Sequence, residues 1–239
     1  MAYSEYKSID DFKEKCGYTI GDTWYPRVTK IVEIKAKPAL YKYYGDAASF
    51  ESAKAATEIS AKEGTLIHET VEKFLLGETP MIPESVAPAV TTALAFIEKH
   101  AIRVYPEFVE RRVWSTNHGY AGTIDALGAI GGKIGVLDIK TSQSIYRDYN
   151  LQTSAYMNIL QKAVKNLETR WILRIDQQKN CLRCTATLRP KGGHNKIRGG
   201  WHGCAEDTHV WSELRGITEI KELPAWENDF AAFLSAKKL

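Results

Sequence analysis

Two acidic side chains lie opposite each other in a β-hairpin that the sequence predicts. The segments Gly122–Ile130 and Lys133–Thr141 are rich in apolar and β-branched residues, and the Gly131-Gly132 pair between them favours a two-residue turn. Counting outward from such a turn places Asp125 directly opposite Asp138, on one face of the sheet. Two opposed carboxylates repel each other unless a positive charge lies between them. The hairpin therefore predicts a site for a cation.

The surroundings of the two carboxylates indicate what that cation does. Lys140 is two residues beyond Asp138, so the strand period places its ammonium group on the same face, while Leu137 and Ile139 point to the buried face. Mg²⁺ and Mn²⁺ take oxygen ligands from a few carboxylates and otherwise keep water or phosphate. Such a centre suits phosphodiester hydrolysis, in which an adjacent lysine orients water or stabilises developing charge. The alternative is a solvated face on which two acids and a lysine neutralise one another.

Four short motifs follow one another along the chain. They are Gly64 to His68 (G-x-x-x-H), Gly122 to Asp125 (G-x-x-D), Asp138-Ile139-Lys140 and Gln152 to Tyr156 (Q-x-x-x-Y). Together they resemble the RecB-type branch of the PD-(D/E)XK nuclease superfamily. Upstream, Tyr25 to Ile31 and Lys37 to Leu40 are similar to stretches in small standalone exonucleases of phages and of mitochondrial genome maintenance, with Arg27 where that group carries Ser.

The resemblance implies a fold and an activity. The fold would be α/β (α+β), a restriction-endonuclease-like core with a central mixed β-sheet flanked by helices. The activity would be that of a metal-dependent deoxyribonuclease, with an exonuclease in DNA recombination, repair or replication as the first expectation. DNA, single-stranded or double-stranded with ends, would be the partner. A recombination or helicase partner and the oligomeric state are left open.

The same resemblance assigns roles to individual residues. Mg²⁺ or Mn²⁺ would be held by His68, Asp125, Asp138 and the main-chain carbonyl of Ile139. Lys140 would position the attacking water, and Gln152 and Tyr156, on one helix face, would border the site and contact DNA. Taken singly, His68 reads as a buried core histidine, and Gln152 and Tyr156 read as helix-surface residues.

Glu110 is a further candidate for catalysis. It lies in the predicted strand Glu107–Trp114, where members of this branch often carry an acid. The alternative is a strand residue in a salt bridge with Arg111 or Arg112. Both interpretations are left open.

Helical spacing alternates with strand spacing along the chain. Helices are predicted at Ser49–Leu76 with a break at Gly64, Ser85–His100, Tyr149–Leu167 and Trp226–Lys238, and further strands at Thr169–Asp176 and Cys181–Arg189 around a QQKN turn. This order predicts a central mixed sheet. We expect one nuclease domain over residues 1–239, with an N-terminal elaboration at 1–48, a catalytic core at 49–176, and C-terminal strands, a basic loop and a helix at 177–239.

The composition is that of a globular chain with little net charge. Of the 239 residues, 44% are hydrophobic and 26% charged, which excludes disordered, collagen-like and fibrous classes. The net charge of +3 neither implies nor excludes nucleic acid as a partner. No stretch approaches the roughly 18 consecutive apolar residues of a membrane span. We therefore expect a cytoplasmic protein, in a bacterial or phage-infected cell, with no membrane partner.

Four cysteines raise the question of an iron–sulfur cluster. Some RecB-type nucleases, including CRISPR-associated ones, hold such a cluster with one cysteine before the core and three after it. Here Cys16 precedes the core and Cys181, Cys184 and Cys204 follow it, but Cys204 is 20 positions beyond Cys184. We therefore expect free thiols rather than a cluster or a zinc ion.

The segment Arg189–Gly203 is rich in glycine and carries basic residues without an acid. We expect a loop in which Lys191, Lys196 and Arg198 contact DNA phosphates, or else a solvated connector. Trp201 would stack on a base or anchor the loop. Besides the exonuclease, two functions stay open: a catalytically weak DNA-binding or assembly protein of the same fold, and a CRISPR-associated RecB-like nuclease with an iron–sulfur cluster.

Overall fold

The computed structural model describes residues 6–35, 44–45, 49–200, 203–205 and 208–239. Its helices are α1 (Ile9–Cys16), α2 (Val28–Glu33), α3 (Phe50–Leu75), α4 (Ala87–Lys99), α5 (Asp148–Leu160) and α6 (Glu227–Lys237). Its strands are β1 (Gly17–Ile20), β2 (Thr23–Pro26), β3 (Arg103–Val104), β4 (Arg111–Ser115), β5 (Tyr120–Ile124), β6 (Ala126–Ile130), β7 (Lys133–Lys140), β8 (Leu167–Asn180), β9 (Thr187–Lys191), β10 (His194–Arg198) and β11 (Arg215–Glu222). Within these ranges, no helix combines the length and the apolar composition needed to cross a membrane.

A seven-stranded sheet forms the centre of the molecule. Its order is β10-β9-β8-β7-β6-β3, and β11 pairs with the edge of β8 opposite to β7. Strands β7 and β8 are parallel and the other pairs of this sheet are antiparallel, so the sheet is mixed. Helices cover both faces. The predicted fold class, a central mixed sheet flanked by helices, is confirmed.

Two apolar cores lie on the two faces of the sheet. One contains Val136 and Tyr156 among side chains of α2, α5 and α6, and the other contains Leu137 and Ile139 among side chains of α3 and α4. Burying a side chain of this size contributes about 1.5–3 kcal/mol. Strand β7 is therefore buried on both faces, and Asp138, between Leu137 and Ile139, is carried into an apolar environment.

The predicted hairpin has the expected register but ends one pair early. Ladder pairs run from Ile130 with Lys133 to Ala126 with Leu137. At Asp125 the chain bends, and β5 pairs with β4 in a separate two-stranded sheet. The predicted direct opposition of Asp125 and Asp138 within one continuous strand pair is therefore wrong. Asp125 leaves the ladder because β5 and β6 belong to different sheets.

The predicted helix break at Gly64 is also wrong. Helix α3 is continuous, and it begins with a capping box in which Ser49 and Ser52 bond each other's main-chain N–H groups. A glycine costs a helix only about 1 kcal/mol, and Gly64 is packed where a Cβ atom would be 2.6 Å from Thr141 Oγ1. Close packing, not helix termination, explains this glycine.

Other boundaries differ from the predictions. Helix α5 ends at Leu160 rather than Leu167, because the chain turns there into β8. Strand β4 begins only at Arg111, since Pro106–Phe108 form a 3₁₀ helix. A second 3₁₀ helix, Glu84–Val86, replaces the first turn of the predicted Ser85–His100 helix.

The C-terminal third differs most. Strand β8 continues through the predicted QQKN turn because β11 pairs with it as far as Gln178. The segment predicted as a loop from Arg189 contains a hairpin of β9 and β10, turning at Gly192-Gly193, where both φ values are positive (65° and 75°). Two sequence features, Lys37–Leu40 and Trp201, lie outside the described residues.

Arg170 connects the C-terminal helix to the sheet. Its side chain is fully buried, pairs with Asp229 of α6, and donates to the carbonyls of Asn150 (2.6 Å), Leu223 (3.1 Å) and Ala225 (2.7 Å). A buried charge is tolerated when paired and hydrogen-bonded in this way. The contact with Asn150 fixes the first turn of α5, the helix that carries Gln152.

Candidate metal centre and active site

The motif residues converge at the bend between β5 and β6. Asp125 occupies the bend, and its Oδ2 accepts a hydrogen bond from the main-chain N–H of Ile139 at 2.6 Å. His68 approaches the same oxygen from α3, with Nε2 3.1 Å from Asp125 Oδ2. Asp125 therefore links α3 to the end of β7, although it is outside the hairpin ladder.

Asp138 and Lys140 form an ion pair on one face of β7. Lys140 Nζ lies 2.6 Å from Asp138 Oδ2. Gln152 of α5 donates from Nε2 to Asp138 Oδ1 at 3.0 Å and lies 3.5 Å from the Tyr156 hydroxyl. The Tyr149 ring centre is 5.1 Å from Lys140 Nζ. Asp138 is thus oriented by an ammonium group on one oxygen and an amide on the other.

Two glutamates extend the site. Glu72, one helical turn after His68, lies 2.9 Å from it (Oε1 to Nδ1). Ligand atoms of Glu72, Glu110 and His68 all lie within 4.8 Å of one another. Sequence reasoning missed Glu72, although a spacing of four residues on one helix was the available signal.

Glu110 is held by an unusual backbone conformation. Its φ is +49°, a region that non-glycine residues rarely adopt. Its N–H donates to the carbonyl of Asp125 at 3.0 Å. Such strain costs about 1–3 kcal/mol and is found mostly at functional sites. The structure brings Glu110 to Glu72 and His68.

Burial and crowding shift the pKa values of these groups. Burial disfavours the charged imidazole, but hydrogen bonds to Asp125 and Glu72 outweigh it and raise the pKa of His68 to about 10. Burial raises the pKa of Asp138 to about 6 against the effect of Lys140. Burial and Glu72 raise the pKa of Glu110 to about 8. His68 and Glu110 therefore hold protons at neutral pH that a bound cation would displace.

Lys140 stays charged. Burial works against its ammonium group, yet Asp138 and Asp125 raise its pKa above the ordinary lysine value. The side chain therefore offers positive charge and hydrogen-bond donors rather than a basic nitrogen.

The donor set fits a divalent cation. Four carboxylates share the site with two cationic side chains: Glu72, Glu110, Asp125 and Asp138 with His68 and Lys140. Asp138 Oδ2 and Glu72 Oε1 are buried, and each faces a cationic side chain, that of Lys140 and that of His68 respectively. A cleft of about 540 Å³, lined by α3, Glu110 and the end of β7, gives access. Oxygen-rich, open sites of this kind suit Mg²⁺ or Mn²⁺.

The predicted DNA-contacting residues of the basic segment are not all near the cleft. Lys191 Nζ donates to the carbonyl of Thr141, the residue after Lys140, at 2.5 Å, and burial lowers the pKa of Lys191 to about 8. Lys196 and Arg198 are exposed on β10, the edge strand. The structure brings Lys191 to the cleft and leaves the other two on the outer strand.

A second basic surface, which sequence reasoning missed, lies beside β5. The guanidinium carbons of Arg27 and Arg112 are 4.6 and 4.5 Å from the ring centre of Tyr18. The Tyr18 hydroxyl is 3.1 Å from Oγ1 of Thr123, two residues before Asp125. The sequence distinguished Arg27 only as the residue that stands where similar exonucleases carry Ser.

Comparisons with known proteins give little beyond this geometry. No family model matches the chain, and no curated protein matches it. The crystal structure of SSO0001 superposes with a TM-score of 0.37 at 14% identity, covering 89% of this chain and 72% of that one. A protein of Eubacterium rectale, named a "putative exonuclease", superposes with a TM-score of 0.42 at 12% identity, covering 98% of this chain and 81% of that one. The assignment of a function therefore depends on the side chains of the site.

Proposed function

We propose that the protein is a metal-dependent deoxyribonuclease of the PD-(D/E)XK type, with exonuclease action in DNA recombination, repair or replication. The meeting of His68 with Asp125, and of Asp138 with Lys140, at the open end of the sheet carries the proposal. A purely structural ion-pair network would not need four carboxylates against two cationic side chains beside an open cleft. The RecB-type motifs in the sequence support the same assignment.

The proposed metal ligands are His68, Asp125, Asp138 and the carbonyl of Ile139, with Glu72 supporting His68. When bound, Mg²⁺ or Mn²⁺ would polarise the scissile phosphate and lower the pKa of water. The excess of carboxylates over cations at the site supports a divalent ion.

The other side chains supply orientation and charge. Lys140, protonated, would orient the attacking water and stabilise the charge that develops on phosphate oxygens. Gln152 keeps the Asp138 carboxylate from rotating by bonding its Oδ1. Glu110, at the cleft with a raised pKa, is the candidate acceptor for the proton of that water.

Basic side chains on two surfaces would hold the DNA backbone. Arg27 and Arg112 on one surface and Lys191 at the β9–β10 hairpin offer positive charge to phosphates, which compensates for a net charge of only +3. Gln152 borders the site, whereas Tyr156 is buried in the core against Gly122 and has no exposed surface for the predicted contact with DNA.

Digestion of end-labelled single- and double-stranded DNA in Mg²⁺, Mn²⁺ or EDTA tests the proposal. Cleavage is expected with either metal and not with EDTA. Asp138→Asn and Lys140→Ala are each expected to slow cleavage by at least about 100-fold. Asp22→Asn and Lys133→Ala, which change exposed residues, are the matched controls.

Two results would contradict the proposal. One is a wild-type protein that cuts nothing with either metal, and the other is an Asp138→Asn variant that cuts as fast as the wild type. DNA binding without cleavage in a gel-shift assay would instead support a DNA-binding protein of the same fold.

A further inference from the structure

Three cysteines and a histidine meet outside the nuclease site. Cys181 and Cys184 follow β8, whereas Cys204 and His209 lie between β10 and β11. His209 Nδ1 is 3.4 Å from Cys181 Sγ and 3.5 Å from Cys184 Sγ. Cys204 Sγ is 3.9 Å from Cys181 Sγ, and all four ligand atoms lie within 4.8 Å of one another. The fourth cysteine, Cys16, lies elsewhere, bonded to the Tyr6 hydroxyl.

These separations are those of ligands around one tetrahedral ion. With Zn–S bonds of about 2.3 Å and a Zn–N bond of about 2.05 Å, two sulfurs are about 3.8 Å apart, and a sulfur and a nitrogen are about 3.6 Å apart. Three of the six distances in the cluster, 3.9, 3.5 and 3.4 Å, agree with these values, and all six are below 4.8 Å. In a [4Fe–4S] cluster each thiolate binds a different iron atom, so the sulfurs would be more widely spread.

The backbone around the cluster is arranged to hold thiolates. The N–H of Arg183 donates to Cys181 Sγ and that of Ala186 to Cys184 Sγ, each at 3.4 Å. Hydrogen bonds of this kind orient metal-bound sulfur. At Gly203 a Cβ atom would be 2.2 Å from the Cβ of Cys184, so the segment that brings Cys204 has room only for glycine there.

We propose that Cys181, Cys184, Cys204 and His209 bind one structural Zn²⁺ ion. Four protein ligands leave no open position, which is the arrangement of structural rather than catalytic zinc. The expectation of free thiols overlooked His209, although it follows Cys204 by only five residues.

The ion would connect three segments, which main-chain hydrogen bonds such as that from the Leu182 N–H to the Val210 carbonyl (2.8 Å) also join. Cys181 directly follows β8, Cys184 precedes the β9–β10 hairpin, and His209 precedes β11. The hairpin brings Lys191 to Thr141 beside the nuclease site. Zinc therefore stabilises the part of the chain that borders the cleft, at a distance from the reacting groups.

Metal analysis of the full-length protein, purified without chelators, tests this inference. Mass spectrometry of the dissolved metal is expected to find about one zinc per chain. X-ray absorption at the zinc edge is expected to report three sulfur ligands and one nitrogen. Replacement by Co²⁺ is expected to give the visible absorption of a tetrahedral thiolate site. These measurements use the wild type, so they do not depend on the folding of a variant.

Variants identify the ligands. Cys184→Ser and His209→Ala are expected to lose most of the zinc, whereas Cys16→Ser, the matched cysteine control, keeps it. Asp138→Asn also keeps it, which separates this site from the nuclease centre. The inference is wrong if the wild type contains no zinc and gives no tetrahedral cobalt spectrum, if it contains iron with sulfide, or if Cys184→Ser and His209→Ala retain full zinc.

Discussion

The ring of Tyr156 lies directly over the Cα atom of Gly122, where a Cβ atom would be only 2.6 Å from Tyr156 Cε1. Gly122 is in β5, three residues before Asp125, and Tyr156 is in α5, four residues after Gln152. The glycine of one motif therefore makes room for the tyrosine of another. This contact sets the distance between the strand that leads to Asp125 and the helix that orients Asp138.

Gly122→Ala is expected to destabilise the fold by about 1–3 kcal/mol, because the added methyl group overlaps the buried Tyr156 ring. Combining it with Tyr156→Leu, which removes the overlapping ring atoms, is expected to cost less than the sum of the two single changes. Urea unfolding of the four proteins in this cycle measures the coupling. Gly45→Ala, where no atom of the described residues lies within 4 Å of the new Cβ, is the control. Strict additivity would show that the contact is unimportant.

Glu72→Gln is expected to weaken Mg²⁺ or Mn²⁺ binding by about 10–100-fold. The change keeps the shape of the side chain but removes the charge that lies 2.9 Å from His68 Nδ1. Calorimetric titration of the metal measures the effect. Glu58→Gln, at an exposed position of the same helix, is the control. Equal affinities in the two variants would mean that Glu72 does not support the centre.

Arg112→Ala is expected to weaken DNA binding. It should also make the slope of log K against log salt concentration less negative by about 1, the effect of one lost phosphate contact. Fluorescence anisotropy, with Asp138→Asn present in every protein so that DNA stays intact, gives the slope. Arg103→Ala, at an exposed arginine on β3, should leave the slope unchanged. An unaltered slope in Arg112→Ala would show that the surface formed by Arg27 and Arg112 around Tyr18 does not contact the DNA.

Arg170→Met is expected to lower the free energy of unfolding by about 3–5 kcal/mol, because it leaves Asp229 without its buried partner. For a chain of this size, the melting temperature should fall by roughly 10 °C. Differential scanning calorimetry measures the change. Lys133→Met breaks an exposed ion pair with Glu222 and should leave the melting temperature unchanged. Similar melting temperatures for the two variants would contradict the role given to Arg170.

Local pattern was sufficient for part of the fold. The turn at Gly131-Gly132 predicted the pairing of Ile130 with Lys133, and this register is present. The alternation along β7 predicted that Leu137 and Ile139 would be buried, as they are. Both depend on residues close in sequence, for which backbone geometry alone decides which side chains share a face.

Prediction was wrong where a distant segment decided the conformation. The QQKN residues look like a turn, but β11 pairs with Gln177 and Gln178, and β9 pairs with Lys179 and Asn180, so β8 continues through them. Gly64 looks like a helix break, but the close approach of Thr141 explains it. At Asp125, the separate pairing of β5 with β4 bends a chain that reads as one strand.

The sequence by itself determined which chemistry is available: two acids and a lysine around one hairpin, with a histidine and a glutamine on neighbouring helices. Tertiary structure alone decided that Glu110 joins His68 and Glu72, and that Cys204 and His209 join Cys181 and Cys184. The physical reason is that a site forms from distances of a few ångströms between residues far apart in the chain. Those distances depend on how helices and strands pack, which short-range patterns do not specify.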